Sequence, residues 1–559
     1  MSDLLVRGGT VIDGSGRPGT RGDVRVRGGR IVELGPTLAA DGEPELDAGG
    51  AVVAPGFVDV HTHFDPSLWW DPSADPVALH GVTTVVHGNC SLSLAPVRPD
   101  GRAGLIDTFG FIEDIPAIAF ETGIPWTWRE WSEYRAAFDA HGSTVNVGAL
   151  VGHSTLREFV MGSAAWERAA TDDERVALAR ALMACLEAGG LGVSASFIDT
   201  DSSGRKVPSR YADDAELRAL AEALDATGRS IFQFVPSTVP DRKLHDIERV
   251  HAACHGTGVR GSWVQLASGG SSAGLVDDLL NQAGRMQLEG PGIYPQVSPR
   301  SFDAQINLDQ TPMFNSLPMW NEWVKQSHAE KLRRLGDESW RDAMRAEWDR
   351  VTYSVFPKGR MHKLRVSGAS HPALTRYIGA AFSTYIDDRG VHEADAFADF
   401  LQQNELDCAV TIIGLANDDP DQVAALLADE RTIFGASDAG AHLQMLCGAG
   451  DTTLLLTRHV RERADFPLET AVELLSSRPA AVFGLHDRGR IAPGLAADLT
   501  VFALDELVYE TDHLVRDVPG GSARLTRPSG GYRATIVDGH LVQLDGAYTG
   551  ERPGRMVDR

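Results

Sequence analysis

The chain changes its hydrophobic rhythm twice. Over roughly the first 50 residues apolar and polar positions alternate in LLVRGGTVIDGSG and again in DVRVRGGRIVELG, which reads as strands joined by tight turns. Val24 and Val26 flank Arg25, and Gly28-Gly29 separates them from Ile31 and Val32. The far end repeats the style in AADLTVFAL and YRATIVDGHLVQLDGAY. Two β-rich ends around a different middle predict that both termini meet in one small β-sandwich domain, residues 1–54 with 490–559.

In the middle the alternation gives way to short, continuous, β-branched runs: GVTTVVHG, TVNVGALVG, LGVSASFI, SIFQFVPS, GSWVQLAS and RTIFGAS. Runs of this kind suit strands buried on both faces. Helical patterns lie between several of them. Thr171 to Glu174 forms a capping box ahead of Val176, Leu178, Leu182, Met183 and Leu186, and Gly189-Gly190 closes the helix. Asp213 to Glu216 repeats the device before Leu217, Leu220 and Leu224, with Gly228 at the end. Strands alternating with helices over this length predict an α/β fold, a (β/α)8 TIM-like barrel across 55–489. Residues from about 290 to 405 break the rhythm with Phe302, Phe314, Trp320, Trp323, Trp340 and Trp348, and are expected to form an insertion over one mouth of the barrel.

Composition sharpens this picture in two respects. A formal charge of −25 disfavours nucleic acid and anionic membranes as partners. Cys90, Cys185, Cys254, Cys408 and Cys447 are odd in number with no CxxC pair, and MSDLLVRGGTVID holds no apolar run of signal-peptide length. A reduced, cytoplasmic, non-membrane protein is expected, and a homo-oligomer is compatible with all of this.

Three segments carry chemistry. In PGFVDVHTHFD, His61 and His63 alternate on one face at a strand end, where both imidazoles reach one metal. In GVTTVVHGNC, Cys90 ends the next strand; it reads as a thiolate ligand, with a packed core thiol as the alternative. In FGASDAGAH, Asp438 ends a late strand as a metal ligand and proton acceptor, with a helix N-cap as the alternative. His442 closes that segment as a substrate-facing or supporting residue. His153 and Arg157 in GHSTLR are weaker candidates for the same role, with a structural ion pair the alternative for Arg157. Trp69 in SLWWD offers apolar surface beside the HxH strand, either for an acyl group or for packing.

With these motifs in place the chain resembles the amidohydrolase superfamily and, through GNC and GHSTLR, its D-aminoacylase (N-acyl-D-amino-acid deacylase) group. The resemblance implies a zinc site at the strands' C-terminal mouth, at which activated water hydrolyses the amide of an N-acyl amino acid and Asp438 relays the proton. It also implies histidines at the ends of the fifth and sixth barrel strands. This chain has Gln233 and Gln265 in those strands instead. The expected centre is therefore reduced to one divalent metal, zinc by its N/S donors with iron or manganese as the alternatives, on His61, His63, Cys90 and Asp438, with Gln233 and Gln265 orienting substrate or water. The expected partner is a small amide. Two alternatives keep the fold: a cyclic amide hydrolase or deaminase, and a non-catalytic relative that binds a small ligand.

Overall fold

The computed structural model describes residues 3–557 apart from 307, 309, 310, 315, 353 and 355. It divides into two compact units, Ser301–Asp418 with Gln444–Leu446 forming one and the remainder the other.

In the larger unit eight parallel strands follow one another around a barrel. They are β1 (Phe57–Asp59), β2 (Val82–His87), β3 (Asn146–Gly152), β4 (Gly192–Ser196), β5 (Ile231–Val235), β6 (Arg260–Trp263), β7 (Ile293–Val297) and β8 (Ile433–Phe434). The seam between the last strand and the first is closed just beyond the strands, where Asp438 N donates to His61 O at 3.1 Å and His63 N to Ala439 O at 2.8 Å. Two of the motifs that carry chemistry thus lie at the closing seam of the barrel, on its C-terminal mouth.

Helices α1 (Arg102–Glu113), α2 (His153–Met161), α3 (Asp172–Glu187) and α4 (Asp214–Ala226) include the connections that matter for the site. The capping box of α3 forms as expected: Glu174 N donates to Thr171 Oγ1 and Thr171 N to Glu174 Oε2. Leu178, Leu182 and Leu186 are buried, but Val176 is exposed and Met183 only partly covered, so the apolar face is narrower than the sequence suggests. In α4, Asp213 caps Glu216 N at 2.8 Å. The Glu216 side chain does not complete a box. It turns inward to buried Arg157 and His153, because an unpaired guanidinium there is far more costly than an uncompleted cap.

β7 departs from expectation. Ile293–Val297 opens the interval read as an insertion, yet it is a barrel strand, paired through Gly261↔Ile293 and Trp263↔Pro295. Pro295 removes a ladder donor, which is why the segment does not read as a central strand. The second unit buries Phe314, Trp320, Trp323, Trp348, Phe356 and Phe397 in a core of its own.

Both chain ends build one nine-stranded sheet. Val52–Pro55 pairs with Leu4–Val11 on one side and with Leu499–Phe502 on the other. Val24, Val26 and Ile31 point into its core, whereas Val32 is exposed.

Candidate metal centre

The loop after β1 carries His61 and His63 past the end of the strand, and their rings lie 5.4 Å apart, centre to centre. The loop after β2 brings Cys90 to meet them. Its Sγ is 3.5 Å from His61 Nε2 and 3.7 Å from His63 Nε2. From the seam, Asp438 Oδ1 comes to 3.2 Å from His61 Nε2 and 3.8 Å from His63 Nε2. Donors held about 2.0–2.3 Å from a tetrahedral ion stand about 3.3–3.8 Å from one another. These four separations follow that spacing closely, and the mix of two imidazoles, a thiol and a carboxylate suits a borderline-soft divalent ion.

The backbone is arranged to make this meeting. Gly88 adopts φ +79°, and a Cβ there would stand 2.1 Å from Leu150 O, so only glycine fits. Cys90 itself has φ 53° and Asp438 also φ 53°, left-handed conformations that side-chain-bearing residues keep only when their surroundings impose them. The surroundings of Cys90 come from GHST. Ser154 N donates to Ser91 O, the Ser91 and Ser154 hydroxyls meet at 2.8 Å, and Thr155 bonds to both the N–H and the carbonyl of Ser93. On the other side Ser91 N donates to Ser194 Oγ at 3.1 Å. The GHST motif therefore holds the GNC loop in place.

Electrostatics favour the ligand state of the imidazoles. Burial holds His61 and His63 below the ordinary histidine range, so both are neutral and offer lone pairs. Burial, followed by the carboxylates of Glu113, Asp199 and Asp438, pushes the Cys90 thiol well up, so a thiolate here calls for a cation among the donors. Burial alone would raise Asp438; His61, His442, His63 and Arg300 together outweigh it and keep the carboxyl below its ordinary value. Arg300 is itself fixed by Asp451 and by Ser437 O.

The profile of the amidohydrolase family matches residues 45–543. The chain belongs to that family. An uncharacterized protein from Mycobacterium tuberculosis is 31% identical over 98% of this chain and 93% of its own. An N-acyl-D-aspartate deacylase from Alcaligenes xylosoxydans xylosoxydans is 30% identical over 100% of this chain and 95% of its own. Among solved structures, an N-acyl-D-glutamate deacylase from Bordetella bronchiseptica, complexed with zinc and a phosphonate mimic of the tetrahedral intermediate, superposes with a TM-score of 0.66 at 26% identity, covering all of both chains.

The remaining candidates of this amidohydrolase occupy different surroundings. His153 is buried between Ser209 Oγ and Glu216 Oε1, and Arg157 pairs with the same Glu216 and with Arg168 O, so the two form a structural network under the Cys90 loop. Trp69 is not on a substrate surface. It is buried and stacked on Trp128 at 4.6 Å beside Tyr134 and Phe138. Gln233 is fully buried in β5 with its Oε1 unpartnered, and half-buried Gln265 lies just past β6. His442 is tied to the centre by its backbone, donating to Glu113 O at 2.6 Å.

Sequence reading did not single out Glu113, Asp59 or Asp65. Asp59 accepts from His61 N at 3.3 Å, and burial pushes its carboxyl up to about 7. Asp65 accepts from Gly88 N at 3.2 Å, and burial pushes its carboxyl likewise to about 7. Both acids stand inside or beside PGFVDVHTHFD, where alternation draws attention only to the histidines.

The network under the loop gives a direct test. Burial acts to raise Glu216, but the hydrogen bond from His153 and the charge of Arg157 prevail and hold it down at about 2. Its contribution is complete above the ordinary glutamate pKa and is lost as pH falls from about 4.3 toward 2. Glu216→Gln strands the buried Arg157 charge and is expected to cost about 3–5 kcal/mol, read by denaturant unfolding at pH 7. The gap from wild type should narrow as the pH approaches 3; a constant gap would count against the ion pair.

Proposed function

We propose that this amidohydrolase cleaves the amide bond of N-acyl amino acids, using one divalent metal held by His61, His63, Cys90 and Asp438. The single observation that carries the reading is the cluster of His61, His63 and Cys90, whose donor atoms lie within 4.8 Å of one another on the C-terminal mouth of the barrel, with Asp438 Oδ1 set at 3.2 and 3.8 Å from the two imidazoles. When bound, a metal of this kind, which we take to be zinc, supplies Lewis acidity and brings the pKa of water toward ~7.

The chain's own residues do the rest. His61 and His63 are almost wholly buried, whereas the Asp438 side chain keeps 20% of its surface exposed, so Asp438 is the donor that faces incoming molecules. An Asp438 carboxylate oxygen accepts a proton from the attacking water as the water oxygen bonds to the acyl carbon. It returns that proton to the amide nitrogen as the C–N bond breaks, releasing a carboxylate and a free amino acid. Gln233 and Gln265 stand where the resemblance implies imidazole donors, and among the described residues His61, His63 and Cys90 form the one cluster of potential metal donors, which supports a single ion. The similarity to N-acyl-D-aspartate and N-acyl-D-glutamate deacylases supports D-configured substrates.

Among the described residues no helix is long and apolar enough to cross a membrane, and the cysteines are all unpaired, which supports a reducing cytoplasmic setting. The reading is tested with zinc-loaded enzyme against N-acetyl-D- and N-acetyl-L-amino acids, following amine release. Release from the D series is the expected result. Turnover of cyclic amides without a free amine, or no release from any N-acyl amino acid, would refute it.

A further inference from the structure

We propose that the Glu113 carboxylate is the positioning partner of His63, holding its ring through Nδ1 so that Nε2 is presented to the metal. The pairing rests on the metal reading above and adds a residue that lies outside every barrel strand and every motif of the sequence.

Glu113 is the last residue of α1, and its side chain is 1% exposed, as is that of His63. Its Oε1 lies 3.2 Å from His63 Nδ1. The alignment falls short of hydrogen-bond geometry, and neither atom has any other hydrogen-bond partner. The two nitrogens of this imidazole are thus divided. Nε2 faces Cys90 Sγ and Asp438 Oδ1, and Nδ1 faces Glu113. Ligating imidazoles are commonly held in this way, with the second nitrogen donating to a carboxylate that fixes both tautomer and ring plane. Oε1 accepts from Nδ1–H whether or not the acid is ionised, so the arrangement does not depend on the charge of Glu113.

Two further observations set Glu113 apart from ordinary packing. A carboxylate in the last turn of a helix opposes the helix dipole, and burying it adds a desolvation cost. Such a residue persists where a partner compensates it, and the His63 ring is the partner at hand. Its backbone is also locked to the seam: His442 N donates to Glu113 O at 2.6 Å, and Ala441 N donates to Asp438 O at 3.0 Å. The end of α1 is therefore registered to the loop that carries Asp438. His63 N is registered to the same loop through Ala439 O. The backbone bonds survive side-chain substitution, so the carboxylate can be removed without releasing the helix.

The test compares metal-free wild type, Glu113→Gln and Glu113→Ala. Zinc dissociation constants come from competition with a chromophoric chelator, and the apo forms are compared by thermal unfolding. The expected result for Glu113→Ala is zinc binding weakened about 10–100-fold with apo unfolding close to wild type. Glu113→Gln keeps an acceptor oxygen and should fall between, weakened several-fold. Equal zinc affinity in all three overturns the pairing. So does a fall in apo stability with zinc affinity unchanged, which would mark a packing residue. Should Glu113→Ala not fold, Glu113→Gln decides, and wild-type affinity in that variant overturns the proposal. A wild type that takes up no zinc removes the metal reading and the pairing with it.

Discussion

His61→Ala is expected to lose zinc and activity together, with metal content falling from about one ion per chain toward none. The His61 imidazole has no exposed surface and meets two of the other three donors directly, Cys90 Sγ and Asp438 Oδ1. Removing it leaves a thiol that burial and neighbouring acids already disfavour as a thiolate, so the remaining donors hold a cation poorly. Paired metal analysis and amine-release assays check the outcome. Full activity in a variant without metal would sink the assignment, and loss of activity with metal fully retained would move His61 from ligand to some other role.

Asp438→Asn is expected to lower kcat by about 10²–10⁴-fold, the range for losing a positioned proton carrier. Asparagine keeps an oxygen and nearly the same shape, and the seam bond from residue 438 N to His61 O is a backbone bond. The fold and some metal binding should therefore survive while proton transfer fails. Measuring metal content on the same sample separates the two roles assigned to Asp438. A variant with wild-type kcat would reduce Asp438 to a loop-forming residue.

Much of this was legible in the residues, and for physical reasons. Buried parallel strands need continuous β-branched runs, and GVTTVVHG, TVNVGALVG and SIFQFVPS each became one. His61, His63, Cys90 and Asp438 stood beside strand ends in recognisable segments, and the structure gathers the first three and sets Asp438 against both imidazoles. Other features depend on contacts that the local pattern does not encode. Pro295 disguised β7, since the missing N–H matters less than pairing on both sides. Glu216 looked like the second half of a capping box until Arg157 and His153 offered it a better partner. Ser154 and Thr155 proved to clamp the Cys90 loop, a role visible only once two distant strands are adjacent. Glu113 sits in GLIDTFGFIED with nothing to distinguish it from any acid at a helix end, and its importance comes from what the fold places against it.

The most direct test of the account is the metal content of the protein by elemental analysis, after purification without chelators or metal-affinity resin. Four convergent donors and amides at Gln233 and Gln265 predict about one zinc per chain. Two ions would require donors beyond the four described, and protein that binds none when zinc is supplied would contradict the metal-dependent hydrolase.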